Sequence, residues 1–265
     1  MFVVPRFYDL GMGSDSVSPD RVRGYPLVPL HRTTNRHLGL LGKRVFDIVV
    51  SGLGLLVLSP LLMLVAAVVK IASPREPVLF RQQRIGQGGR TIEILKFRSM
   101  RTGATSDEEW MEDAETRVTR VGSFLRASSI DEVPQLISIF RGDMSLVGPR
   151  PERPFFVEQF SRDIPGYDDR HRMPVGLTGL SQIVGLRGNT SITERAKIDN
   201  IYIDQWRFRW DLEIMAKTVW AIIRSSKYAE DAAEVQERLN AVLSPEVDAA
   251  IKRQSELVVV DRPDR

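Results

Sequence analysis

From Ile48 to Val69 the chain runs for 22 residues without a charge (IVVSGLGLLVLSPLLMLVAAVV). At about 1.5 Å per residue, a straight helix of that length just crosses a hydrocarbon layer of roughly 30 Å. Three structures can absorb such a run: an ordinary membrane span, a helix that enters the bilayer and returns, or the core helix of a soluble domain. Pro60 lies near the middle, where it removes a backbone hydrogen bond and bends the helix. Ser59 beside it can bond a carbonyl freed in this way. Lys43 and Arg44 precede the run, and Lys70 and Arg75 follow it. Positive residues favour the cytoplasmic side, so basic flanks at both ends point to a helix that dips in and returns. The mean hydropathy of −0.15 hides this segment inside a hydrophilic average.

The 265 residues suffice for one large domain or two small ones. Residues 1–42, with scattered Gly and Pro, read as a loosely structured extension, and they lack the apolar core of a secretory signal. Residues 43–76 hold the apolar helix and 77–224 a folded body. Residues 225–265 carry nine acids and six bases, so the net +3 of the chain divides into about +6 before residue 225 and −3 after it. AEVQERLNAVL and VDAAIKRQSELVV in that last stretch have helical apolar spacing. They would pack on the body or on another subunit, and a homodimer is one outcome.

Within the body, VLFRQQRI and RTIEILKFRSM flank Gly86-Gln87-Gly88-Gly89, the pattern of a β-hairpin. The hairpin is basic, with Arg81, Arg84, Arg90, Lys96, Arg98 and Arg101 against Glu93. An acidic stretch from Asp107 to Glu115 reads as a solvated face. Helices are expected in parts of 117–127 and 132–141, near 154–162, and around 192–205 and 211–224. Pro and Gly crowd 142–154, which indicates an ordered loop. Pro174 to Leu180 reads as a tight turn before a strand. The expected fold class is α/β, mainly helical with a small β-hairpin or sheet region.

Several chemistries are excluded. The chain has no Cys, so disulfides, thiolate catalysis, Cys-based zinc sites and iron–sulfur clusters are absent. Its three His show no metal-ligand spacing. A charge of +3 is too weak to mark a nucleic-acid binder. No G-x-x-x-x-G-K-[ST] loop is present, and the glycines of 86–89 sit in a turn and do not open a helix. Asn189-Thr190-Ser191 matches a glycosylation sequon by chance.

The sharpest stretch is LRASSIDEVPQL followed by FRGDMSLVGPRP. Asp131 and Glu132 are adjacent acids at an expected helix start. One could attack phosphorus while its neighbour holds a divalent cation, and the cation would offset the repulsion between a carboxylate and a diphosphate. The same residues also read as a capping box, with Ser129 at N-cap and Glu132 at N3. Arg126 lies five residues before Asp131, and Lys96 and Arg98 end the second strand. Arg150 sits between Pro149 and Pro151 in a restricted backbone, and a rigidly held guanidinium suits paired hydrogen bonds to phosphate. Each of these bases taken singly also reads as a surface charge. Asp199 and Tyr202 share a helix face at i, i+3 and either line the cleft or bond within the fold. Trp206, Phe208 and Trp210 read as core or membrane-interface anchors.

KRVFDIVVSGLGLLVLSP, LFRQQRIGQGGRTIEILKFRSM, LRASSIDEVPQLISIFRGDMSLVGPRP and GLTGLSQIVGLRG occur here in this order. Together, over Lys43 to Arg224, they resemble the bacterial sugar transferase family, the monotopic polyprenyl-phosphate phosphoglycosyl transferases. The resemblance implies a re-entrant membrane helix broken at Ser59-Pro60, followed by a compact catalytic domain on the cytoplasmic face of the bacterial inner membrane. It implies transfer of a sugar 1-phosphate from a UDP-sugar to a polyprenyl (undecaprenyl) phosphate, with release of UMP, as the first membrane step of polysaccharide or glycoconjugate assembly. By the same resemblance Asp131 is the nucleophile that forms a covalent phospho-sugar intermediate. Glu132 is the Mg²⁺ ligand, and Lys96, Arg126 and Arg150 bind phosphate. The Pro149-Arg150-Pro151 loop would contact the nucleotide. The alternative is a membrane-attached binding or assembly subunit of a polysaccharide export system, without catalysis.

Overall fold

The computed structural model describes residues 2–3, 18–22, 25–29, 34–101, 117–186 and 190–224. The acidic stretch 107–115, the sequon asparagine and the extension 225–265 lie outside the described residues. Two units divide at Lys43. In the first, short strands β1 (Phe2–Val3), β2 (Ser18–Val22) and β3 (Tyr25–Pro29) pair antiparallel in the order β1-β3-β2.

The uncharged run forms the body of one long helix, α1 (Thr34–Ala72). Its apolar side chains are largely exposed, Leu56 at 71% and Met63 at 74%. A core helix would bury them, so the soluble-core reading of this run does not hold. The backbone stays helical through Pro60. A proline at position 60 has no N–H to give to the carbonyl of residue 56. Ser59 Oγ donates to that Leu56 carbonyl at 2.8 Å, which satisfies the freed acceptor.

The last turns of α1 are the part that packs. Val65 and Val69 join Phe97 and Leu125 in a buried cluster, with Val78, Leu79, Val121 and Ile130 around it. Each fully buried aliphatic side chain of this kind contributes about 1.5–3 kcal/mol. Phe97 ends strand β5 (Thr91–Phe97) and Ile130 opens the turn that carries Asp131. The apolar helix is therefore docked onto the two elements that supply Lys96 and the acidic pair. Farther up α1, Arg44 donates to the carbonyls of Ile139 (2.6 Å) and Phe140 (2.8 Å), at the end of α3 (Gln135–Arg141). Asp47 Oδ1 accepts the backbone N–H of Leu146 at 3.0 Å in β6 (Ser145–Val147).

β4 (Leu79–Ile85) pairs antiparallel with β5 from Leu79↔Phe97 to Ile85↔Thr91, around the expected glycine turn. Alternation places Arg84, Gln82, Ile94 and Lys96 on one face of this hairpin. Helices α2 (Arg120–Ala127), α3, α4 (Pro154–Asp163) and α6 (Ile192–Asp204) fall where the sequence pattern places them. α7 (Phe208–Arg224) begins earlier than expected, and a short α5 (Leu180–Ile183) precedes α6.

The segment expected to be a turn after Pro174 is itself a strand, β7 (Gly176–Thr178), parallel to β6. Its glycine serves close approach. A Cβ on Gly176 would lie 2.1 Å from Gly148 N, and one on Gly148 would lie 2.2 Å from Pro174 O. Only two bare backbones fit there, and their contact brings the loop after Gly148 against β7.

Candidate active site

Asp131 and Glu132 lie in a 3₁₀ turn, Ile130–Glu132, ahead of α3. The capping-box reading fails here. Ser129 adopts a left-handed backbone (φ 57°) and its side chain caps nothing. Glu132 turns away from it, toward two cations from distant elements. Glu132 Oε1 accepts from Lys96 Nζ at 2.6 Å and from Arg150 Nη2 at 2.7 Å. Its Oε2 accepts only a long 3.4 Å contact from Arg150 Nη1. Burial alone would raise the Glu132 carboxyl, but Arg150 and Lys96 outweigh it and hold the group well below the usual carboxylate range. Glu132 in turn holds Arg150 firmly protonated. Burial pulls Lys96 below the ordinary lysine value, against the attraction of Glu132.

Asp131 is 8% exposed. No hydrogen bond joins its carboxylate to the described residues. Burial, and then the neighbouring Glu132 charge, raise its pKa, while Lys96, Arg126 and Arg150 pull it back down. Two adjacent carboxylates thus sit in opposite states. One is fixed by cations, and the other has no partner among the described residues and a raised proton affinity.

The structure brings Lys96, Arg150, Asp131 and Glu132 together. Arg126 is exposed and acts on Asp131 only through its charge. Arg98 points elsewhere, bonding Pro77 O at 2.8 Å and pairing with Glu76. Pro149 and Pro151 are buried, and the loop they frame is clamped at successive carbonyls. Gly176 N–H donates to Pro149 O, Arg170 Nη2 to Arg150 O and Arg84 Nη1 to Pro151 O, at 2.9, 2.9 and 3.1 Å. Arg170 is itself buried against Asp199 at 2.7 Å, and Tyr167 Oη accepts from it at 2.7 Å. Asp199 and Tyr202 therefore bond within the fold. Tyr202 donates to Asp211 at 2.7 Å, as does Trp206 Nε1 at 3.1 Å. Trp210 is buried and belongs to the core, while Trp206 and Phe208 are half-buried, with Phe208 packed edge-on against Phe46 of α1.

Sequence reasoning missed Gln135, Glu152 and Arg170, and it named Arg84 only among the basic residues of the hairpin. A small polar cleft is lined by Arg84, Ile94, Lys96, Gln135, Arg150 and Pro151. Burial lowers Arg84 to about 10, with Glu152 opposing the shift. Glu152 pairs with both Arg84 (3.5 Å) and Arg195 (2.9 Å). The hairpin register held the signal for Arg84, because pairing Arg84 with Ile92 puts it on the Lys96 face.

Among the described residues no group of three or more His, Cys, Asp or Glu side chains could hold a metal. Mg²⁺ does not require one, since it takes one or two carboxylates and fills its shell with water and substrate phosphate. Glu132 Oε2 has only the long Arg150 contact among the described residues, so it is the carboxylate oxygen left to take such a cation, and the donor set fits.

A family model described as "Bacterial sugar transferase" matches residues 38–225. The chain is 41% identical over 216 residues to "UDP-glucose:undecaprenyl-phosphate glucose-1-phosphate transferase" of Klebsiella pneumoniae, covering 79% of this chain and 46% of that protein. It is 45% identical over 188 residues to a protein of the same name from Caulobacter vibrioides, covering 69% and 70%. A third relative, from Aeromonas hydrophila, is "UDP-N-acetylgalactosamine-undecaprenyl-phosphate N-acetylgalactosaminephosphotransferase", 39% identical over 184 residues, covering 68% and 43%. The chain spans less than half the length of the Klebsiella and Aeromonas proteins.

Proposed function

Because the chain belongs to the bacterial sugar transferase family, we propose that it moves a sugar 1-phosphate from a UDP-sugar to a polyprenyl phosphate and releases UMP. The observation that carries this reading is the asymmetry of the acidic pair. A nucleophilic carboxylate must be unencumbered, and Asp131 makes no hydrogen bond to the described residues while Glu132 is held by Lys96 and Arg150. A purely binding or assembly role would leave a buried, unpaired Asp131 without a purpose.

In the proposed reaction, an Asp131 carboxylate oxygen attacks the phosphorus attached to the sugar. The P–O bond to the bridging oxygen breaks, and UMP leaves with the electron pair. A polyprenyl phosphate oxygen then attacks the same phosphorus, and the Asp131 carboxylate departs unchanged. Splitting the transfer means a water-soluble donor and a lipid acceptor need not share a small cleft at one moment. Lys96, Arg150 and Arg84 present positive charge to phosphate oxygens, and the clamped loop keeps Arg150 aimed. Mg²⁺, held by Glu132, would offset charge on the phosphates.

The exposed apolar surface of α1 fits a membrane partner, and the basic residues at both ends of the run favour a re-entrant course from the cytoplasmic face. Docking of its last turns under Lys96 and Asp131 would hold the cleft near the headgroup level, where a lipid phosphate lies.

The test is UMP release from a panel of UDP-sugars, glucose and N-acetylgalactosamine included, with polyprenyl phosphate and with or without Mg²⁺. The reading predicts Mg²⁺-dependent, lipid-linked sugar phosphate with at least one donor. No product with any of them would overturn it.

A further inference from the structure

Gln135 opens α3 and lines the polar cleft between Lys96 and Arg150. It is 3% exposed, and its Nε2 is buried with no hydrogen-bond partner among the described residues. A primary amide carries two N–H donors and one acceptor oxygen. Leaving such a group unpaired inside a protein costs stability that an apolar side chain of the same shape would not. The cost is offset when a ligand supplies the missing partner.

The neighbours define the ligand. Arg84, Lys96 and Arg150 line the same cleft, and a positive cleft selects an anion rich in acceptor oxygens. Turning the carboxamide about its last bond exchanges its ends, so it can present N–H to such an oxygen.

We propose that Gln135 is a phosphate-binding residue whose carboxamide donates an N–H to a non-bridging phosphate oxygen in the cleft. The identity of that phosphate rests on the transferase reading. Two candidates visit the site in turn, the diphosphate of the donor and the phosphate of the lipid acceptor. Both offer the same oxygens.

The full chain in detergent or nanodiscs is compared with Gln135→Met, an apolar near-isostere, and Gln135→Glu, which keeps the shape and reverses the interaction with phosphate. Binding of inorganic pyrophosphate and of UDP is titrated, and KM is measured separately for UDP-sugar and polyprenyl phosphate. Gln135→Met is expected to unfold at or above the wild-type temperature. Losing one hydrogen bond to a charged group should weaken one phosphate ligand about 10- to 100-fold. Weaker pyrophosphate and UDP binding with a raised UDP-sugar KM assigns the contact to the donor. Unchanged UDP binding with a raised polyprenyl phosphate KM assigns it to the acceptor. Should Gln135→Met not fold, Gln135→Glu decides on the same readouts. Affinities and both KM values within about threefold of wild type overturn the proposal, even if kcat falls. A wild-type protein that transfers no sugar phosphate defeats the transferase reading alone, because pyrophosphate titration still tests Gln135.

Discussion

Glu132 accepts two charge-assisted hydrogen bonds on one oxygen, while the adjacent Asp131 accepts none from the described residues. Chain neighbours thus differ in environment because partners distant in sequence reach only one of them. Lys96 lies 36 positions away and Arg150 lies 18 away. Removing either acid should therefore have different consequences. Asp131→Asn removes the proposed nucleophile and leaves the ion pairs intact, so turnover should vanish while the unfolding temperature holds. Glu132→Gln leaves two half-buried cations without their anion and should cost about 3 kcal/mol of stability as well as activity. Thermal unfolding alongside UMP release separates the two; turnover in Asp131→Asn would remove that residue from the chemistry.

With Asp131 as the nucleophile, its raised pKa should set the acid side of the activity profile. Attack needs the carboxylate, so kcat/KM should fall as pH drops, with a midpoint above the ordinary aspartate value. Lys96 pulls that midpoint down. Lys96→Met should lower the rate and also move the acid limb to higher pH. A limb that stays put in this variant would show that another group titrates.

His171 gives a stability signature independent of activity. Burial and the adjacent Arg170 lower it from 6.5 to about 4. Between those values the unfolded chain binds more protons than the folded one, so stability rises with pH. Its contribution is full above pH 6.5 and is lost as pH falls through about 4, amounting to at most about 3 kcal/mol. His171→Gln should flatten that part of the stability curve in chemical denaturation measured at several pH values.

Arg170 and Asp199 hold the backbone of Arg150 from behind. Asp199→Asn leaves a guanidinium buried without its anion and should cost about 3–5 kcal/mol. The loop carbonyls would lose a fixed donor, so UDP-sugar KM should rise as well. An unfolding temperature equal to wild type would show that the pair contributes little.

Much of this was legible in the sequence where the signal is local. The hairpin β4–β5 follows from two β-rich runs around a glycine turn, and Ser59 meets the carbonyl freed by Pro60 as the chemistry of proline requires. The parallel pair β6–β7 was not legible. Its strands have three residues each, too few for a period, and they meet because Gly148 and Gly176 let two backbones touch. The capping box failed for a related reason. Local spacing favoured Ser129 as a cap, but charges from distant elements captured Glu132, and Ser129 adopted a left-handed turn. Gln135 and Arg170 carry no local signal, and only burial distinguishes them from surface polar residues.

The central claim is that Asp131 becomes covalently loaded before the lipid acceptor arrives. The direct measurement is intact-protein and peptide mass spectrometry after incubation with a competent UDP-sugar and Mg²⁺ in the absence of polyprenyl phosphate. The account predicts UMP release in proportion to protein and a sugar-phosphate adduct on the peptide containing Asp131, absent in Asp131→Asn. UMP that appears only when polyprenyl phosphate is added, with no adduct at any time, would contradict it.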